Sequence, residues 1–270
     1  MNILVIGAGG VGASMASIAE TRSFFTQFVL ADISLSRAEE AIAQLDDRSK
    51  FVAEQVDARD MTAIKTLIER VKADVVVNAC DPRMNEPIFN AAYEAHCNYI
   101  DMAMNLSEPH ASNPYEEVGS PLGADQLAAD QAWRDRGLLA LVGMGVEPGL
   151  SDVFARYAAD NLFDTIDEIG VRDGSNLSID GLDFAPTFSI WTTIEECLNP
   201  PIVWEKNRGL YTTDCFSEPE VFHFPAGIGP YECVNVEHEE VLLIPREIDC
   251  NRVTFKYSLG AEFIDWLKTF

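Results

Sequence analysis

The chain has 270 residues, 47% of them hydrophobic, enough for one large domain or two ordinary ones around a core. Its 19 basic residues against 44 acidic give a net charge of −25, which opposes nucleic-acid phosphates and anionic membranes. No apolar run approaches the roughly 20 residues of a membrane span. Cys80, Cys97, Cys197, Cys215, Cys233 and Cys250 form no Cys-x-x-Cys pair, so reduced thiols in a cytoplasmic protein are expected. His96, His110, His223 and His238 show no metal spacing, and no metal is expected.

In chain order, an apolar strand at 3–6 runs straight into GAGGVG, made of Gly7, Ala8, Gly9, Gly10, Val11 and Gly12. A strand feeding a Gly-x-Gly-x-x-Gly turn and then a helix brings backbone N–H groups and a helix N-terminus to a pyrophosphate. Gly7 makes the tight turn, Gly9 admits the phosphates, and Gly12 lets the helix pack on the strand. A second strand at 28–31 ends in Asp32, beside Ile33 and Ser34. Asp32 follows Gly12 by 20 residues, the spacing of an acid that bonds an adenosine ribose. Ser36 and Glu39 read as a capping box for a helix bearing Ala38, Ala41, Ile42 and Leu45 on one face. A strand at 51–56 follows, and then Asp60 caps a helix carrying Ile64, Leu67, Ile68 and Val71.

The valine run at 74–79 reads as a strand buried on both faces. A helix at 87–95, a strand at 98–101, a helix at 125–136 and a strand at 138–142 complete six strands of a doubly wound parallel α/β sheet. The aperiodic stretch between 105 and 123 reads as a lid or a plain surface excursion. Past Gly149 the texture changes to a helix at 150–161, a strand at 166–171, and segments rich in aromatic and β-branched residues. The expected division is a Rossmann domain over 1–149 and a mixed α+β domain over 150–270, with antiparallel strands and a turn at Gly227, Gly229 and Pro230. Phe184, Phe188, Trp191, Trp204, Tyr211 and Phe222 exceed what a small domain hides, so a homodimer is expected, burial in a larger core being the alternative.

The chain resembles the saccharopine dehydrogenase-like oxidoreductases. The resemblance rests on GAGGVG (7–12), LADISLSRAEEA (30–41), VDARD (56–60), DVVVNACDPRMN (74–85), YIDMA (99–103) and GMGVEPGLSDVFARYAAD (143–160), and continues loosely through DEIGVRDG (167–174). It implies hydride transfer between a nicotinamide cofactor and the amine or imine carbon of an amino-acid-like substrate. A carboxynorspermidine dehydrogenase-type polyamine enzyme and a non-catalytic NAD(P)-binding module are the alternatives. Family members are longer, and this chain stops inside an expected helix at 266–270. Either the C-terminus is truncated or a partner subunit completes the site.

In this reading Asp57 and Ala58 meet the adenine, as the resemblance implies, an exposed turn acid being the competing reading of Asp57. Asn78, Ala79, Cys80 and Gly145 lie near carboxyl ends of strands and line the nicotinamide half of the cofactor. Asp81 and Asp101, ending neighbouring elements, hold or deprotonate a substrate amine, or else cap their own turns. Glu147, Pro148 and Gly149 open the helix at Leu150, whose N–H groups suit a substrate carboxylate, unless the proline only primes the helix; Arg172 is a further partner for that group, or else forms a surface salt bridge. Asp32 favours NAD over NADP by repelling a 2′-phosphate, while Arg37 keeps NADP open.

Overall fold

In the computed structural model, residues 1–177, 179–181 and 189–269 are described. Six parallel strands form the first sheet: β1 (Asn2–Ile6), β2 (Gln27–Asp32), β3 (Phe51–Gln55), β4 (Val75–Asn78), β5 (Asn98–Asp101) and β6 (Ala140–Leu141), in the order β3-β2-β1-β4-β5-β6. This doubly wound order reverses between β1 and β4, the position where such sheets bind nucleotides. The intervening helices are α1 (Gly10–Glu20), α2 (Leu35–Ala43), α3 (Met61–Val71), α4 (Asn85–Glu94), α5 (Ala124–Ala128) and α6 (Asp130–Asp135).

Local chemistry explains the boundaries. Asp60 accepts the Ala63 N–H at 2.9 Å to open α3, and Lys72 closes it in the left-handed region at φ 53°. Ile64, Leu67 and Ile68 on its inner face are buried, each stabilising the fold by about 1.5–3 kcal/mol. The expected Ser36–Glu39 capping box does not form. α2 starts at Leu35 with Ser34 as its cap, and the Ser34 hydroxyl bonds Ser36 Oγ at 2.9 Å. The helix expected at 125–136 breaks at Ala129 into α5 and α6.

The contacts divide the chain into two units, Met1–Leu106 with Gly123–Gly145, and Ser107–Leu122 with Val146–Phe270. The aperiodic stretch thus belongs mostly to the second unit, where Glu108 and Ser120 exchange backbone hydrogen bonds of 2.8 and 2.9 Å.

The second unit holds α7 (Leu150–Asn161), β7 (Glu168–Asp173), α8 (Ile190–Leu198), β8 (Ile202–Glu205), β9 (Gly209–Thr212), β10 (Glu220–Phe224), β11 (Gly229–Asn235), α9 (Glu240–Glu247), β12 (Arg252–Tyr257) and α10 (Ala261–Leu267). Its strands run β10-β11-β12-β8-β9 in antiparallel pairs, with β7 added parallel to β12. Gly227, at φ 79°, lies in the expected turn between β10 and β11. Trp191 is 65% exposed and Phe222 38%, Trp204 and Tyr211 are half-buried, and Phe184 and Phe188 lie outside the described residues. Among the described residues, no helix is long and apolar enough to cross a membrane.

Candidate functional site

The glycine turn of the first unit is built as its spacing requires. Gly7 sits at φ 107° and donates its N–H to Ala31 O at 2.7 Å; a Cβ there would lie 2.6 Å from Ala79 O. A Cβ on Gly12 would come within 1.9 Å of Gly7 O, so only glycine lets α1 approach β1. At Gly9 and Gly10 an added Cβ would meet nothing within 4 Å. Neither turn geometry nor packing accounts for those two glycines. What they leave is open space over the start of α1, whose first turn has no acidic residue and no side-chain cap. N–H groups at a helix N-terminus suit a pyrophosphate, and the residues present fit a dinucleotide.

Strand register gathers the other expected nucleotide residues at the same end of the sheet. Ile6 lies opposite Ala31 and Asn78, and Asn78 opposite Asp101. Asp32 is 6% exposed and its two carboxylate oxygens accept the N–H groups of Ala8 (2.8 Å) and Ser34 (2.9 Å). Arg37 Nη1 stands 3.7 Å from the same carboxylate, and Ile33 is exposed. Asp57 forms a two-pronged pair with Arg59 at 2.9 and 2.7 Å, whose hydrogen bonds hold it at about 2, while Ala58 packs on the core. Asn78 is buried, donating to Asn85 Oδ1 at 2.6 Å and accepting the Cys80 N–H at 2.9 Å; the Ala79 N–H reaches Ile6 O at 2.8 Å. Gly145 is half-buried at the end of the first unit.

Asp81 and Asp101, expected as catalytic acids or turn caps, each make contacts within the fold. Arg83 grips Asp81 with two bonds of 2.8 Å and lowers its pKa, and Asp81 also caps the short turn at Pro82–Met84. Asp101 is 1% exposed and accepts Gln126 Nε2 and the Gly143 N–H, each at 2.7 Å, while its carbonyl accepts the Met144 N–H. Its carboxylate ties the loop after β6 to β5. Burial and the nearby Asp32 and Asp81 push the Cys80 thiol up to about 12, and its Sγ–H donates to Ile6 O at 3.3 Å, so it packs rather than attacks.

In the second unit the start of α7 differs from the expected carboxylate site. The Gly149 N–H is already taken by Asp152 Oδ2 at 2.9 Å, and acids surround it. Glu147, after burial and a hydrogen bond to Asp173, is pushed up to about 9. Arg172 is not beside them. Side chains alternate across β7, and Arg172 pairs with Glu220 and with Thr254 Oγ1 at 3.1 Å on the face away from Asp173.

Sequence reasoning missed the centre of this arrangement, the run VNVEHEE at 234–240. Glu237, His238, Glu239 and Glu240 are none of them more than 5% exposed. The signal was present: a four-residue charged run set between Cys233, Val234 and Val236 on one side and Val241 and Leu242 on the other. The His238 ring stacks on Phe255 at 3.8 Å, its Nδ1 bonds Glu240, and Glu239 lies 3.4 Å away. Burial opposes the imidazolium, but Glu240, Glu239 and Glu196 outweigh it and hold His238 up to about 10. Ser151 Oγ donates to Glu240 at 2.7 Å, and Ser107 and Asn199 donate to Glu237 at 2.8 and 2.9 Å. Ligand atoms of His238, Glu239 and Glu240 lie within 4.8 Å of one another, so a metal-compatible trio exists where none was expected.

Residues 3–141 match the model of the saccharopine dehydrogenase NADP binding domain. The chain belongs to the saccharopine dehydrogenase family. Carboxynorspermidine synthase of Vibrio cholerae is 30% identical over 98% of the chain, and carboxyaminopropylagmatine dehydrogenase of Synechocystis is 28% identical over 72% of it. The chain covers 64% and 46% of those proteins, respectively, so it is shorter than the relatives it matches. The apo saccharopine dehydrogenase (L-Glu forming) of Saccharomyces cerevisiae shares its fold, with a TM-score of 0.69 at 13% identity, covering 99% of this chain and 57% of that one.

Proposed function

We propose that this member of the saccharopine dehydrogenase family is a nicotinamide-dependent oxidoreductase that reduces the imine formed between an aliphatic amine and a small aldehyde bearing a carboxylate. The balanced reaction takes imine, reduced cofactor and a proton to a secondary amine and oxidised cofactor. The observation that carries the reading is the open space over Gly9 and Gly10, and the amine-related names of the relatives support the substrate class.

A bound reduced nicotinamide supplies the hydride. The chain's own part is to bind and orient. The N–H groups of Gly10, Val11 and Gly12 hold the pyrophosphate, and Asn78, fixed by Asn85 and Tyr99, sets the strand end that supports the nicotinamide half. Asp101 keeps the loop through Gly143 in place.

The proposed cofactor is NADP, departing from the NAD expected from Asp32. Both Asp32 oxygens already serve backbone N–H groups, and Arg37 stands beside them with a 60% exposed side chain. Ser34 and Ser36 present hydroxyls at the start of α2, so serine, arginine and helix dipole together suit a 2′-phosphate. Removing Arg37 should weaken NADPH by about tenfold to a hundredfold and leave NADH nearly unchanged. Tighter binding of NADH than NADPH to the unaltered protein would refute the cofactor assignment. The proposal includes self-association, supported by the exposed Trp191 and by Leu150, Val153, Phe154 and Tyr157 along α7.

Reduced-cofactor absorbance, followed with an aldehyde acid and a diamine together and then singly, tests the activity. Consumption only in the joint mixture is expected; cofactor binding with no turnover in any mixture would favour a non-catalytic module.

A further inference from the structure

The cluster about His238 contains far more acid than base. Glu147 comes from the segment before α7, Asp152 from its first turn, Asp173 from β7, Glu196 from α8, and Glu237, Glu239 and Glu240 from the run into α9. Tyr257 of β12 hydrogen-bonds Asp173, and burial raises its pKa. Among the described residues, no lysine or arginine pairs with Glu147, Asp152, Glu196 or Glu240; His238 is the one cation that pairs with Glu240. Two of these acids also lack contacts that buried acids require. Asp152 Oδ1 is buried with no hydrogen-bond partner, and the Glu196 side chain forms no hydrogen bond among the described residues, although both face His238 and Glu240.

We infer that this cluster receives an alkylammonium group of an aliphatic diamine or polyamine, which Asp152, through its free Oδ1, and the Glu196 carboxylate would hold beside Glu240. The inference rests on the amine-oxidoreductase reading and adds the residues that select a multiply charged amine. An ammonium supplies N–H donors and the positive charge that the acids lack. A divalent ion is less suited, because the His238 Nδ1 is already engaged with Glu240.

Burial pushes Glu147 up to about 9 and Glu196 up to about 8, so both hold protons near neutral pH. An arriving cation lowers those values and drives protons out. The groups that face this exchange are His238, Glu237, Glu239, Glu240, Asp152, Asp173 and Tyr257.

The test is calorimetric titration of the full chain, saturated with NADP, with 1,4-diaminobutane in two buffers of different ionisation heat near neutral pH. The uncharged control is 1,4-butanediol. The diamine should bind, the diol should not, and of the order of one proton should be released per diamine. Glu196→Gln breaks no side-chain hydrogen bond among the described residues, and it should weaken the diamine about tenfold to a hundredfold and reduce the proton release. Asp152→Asn keeps an acceptor for the Gly149 N–H and should weaken the diamine similarly. NADPH affinity, measured on the same samples, should stay unchanged and shows that each variant is folded. Diamine binding no tighter than diol, or equal in parent and both variants, would overturn the inference, as would displacement of the diamine by MnCl2 at equal concentration. Failure of the amine-oxidoreductase reading would show separately, as a bound diamine that supports no NADPH-dependent turnover.

Discussion

Replacing Gly9 by alanine separates what the fold requires from what the ligand requires. The backbone there is extended (φ −73°, ψ −164°), which alanine adopts freely, and the new Cβ meets nothing within 4 Å. Without ligand the variant should therefore melt as the parent does, within the ~0.5 kcal/mol typical of surface changes. With ligand the methyl group stands where phosphate oxygens must come within hydrogen-bonding distance of the helix N-terminus. Moving them back by about 1 Å forfeits one or two amide bonds to the phosphate. Each is worth about 1.5–3 kcal/mol, so NADPH affinity should fall by about tenfold to several hundredfold. Nicotinamide fluorescence titration reads the affinity, and a ligand-free melt reads the stability. Gly12→Ala is the contrast, since its Cβ would strike Gly7 O at 1.9 Å and should cost stability as well as affinity. A folded Gly9→Ala protein with unchanged NADPH affinity would refute the assignment of this space to the cofactor.

Stability should fall as pH rises from about 6 to about 9. In that window folded His238 (about 10), Glu147 (about 9) and Glu196 (about 8) keep protons that the unfolded chain, at ordinary values of 6.5 and 4.5, has lost. Each excess proton costs about 1 kcal/mol per pH unit, and a melting temperature that is flat or rises across the window contradicts the protonated cluster. Asp101→Asn should lower stability by about 1–3 kcal/mol in denaturant unfolding, because the carboxylate that accepts from both Gln126 and Gly143 is neutralised. An unchanged midpoint would return Asp101 to the catalytic candidates. Cys80 should resist iodoacetamide at neutral pH in the folded protein, given its thiol near 12; rapid alkylation, read by mass spectrometry, would show a reactive nucleophile instead.

Much of the first unit was legible because its signals are local. The Gly7–Gly12 spacing, the valine run of β4 and the Asp60 cap each depend on neighbours a few positions away, and together they lead to the sheet order. The contacts of Asp101 were not legible, because an acid at a strand end looks the same whether it faces a crevice or a loop more than 40 positions later. The surroundings of the start of α7 were hidden for a related reason. The helix dipole can be read from Pro148 and the following residues, but the acids beside it come from β7 and the start of α9. Ser151 and Glu240, which meet in this cluster, are 89 positions apart. No periodicity connects them, so the charged run at 237–240 could be noticed in the sequence but not assembled.

The central claim is that hydride passes from the reduced cofactor to the carbon of an imine. NADPH carrying deuterium at nicotinamide C4 on the transferred face, incubated with the protein, an aldehyde acid and 1,4-diaminobutane, tests it most directly by mass spectrometry. The account predicts a secondary amine that is one mass unit heavier than the unlabelled product, with the deuterium on the carbon newly joined to nitrogen. A deuterated alcohol from the aldehyde, or a secondary amine free of deuterium, would contradict it.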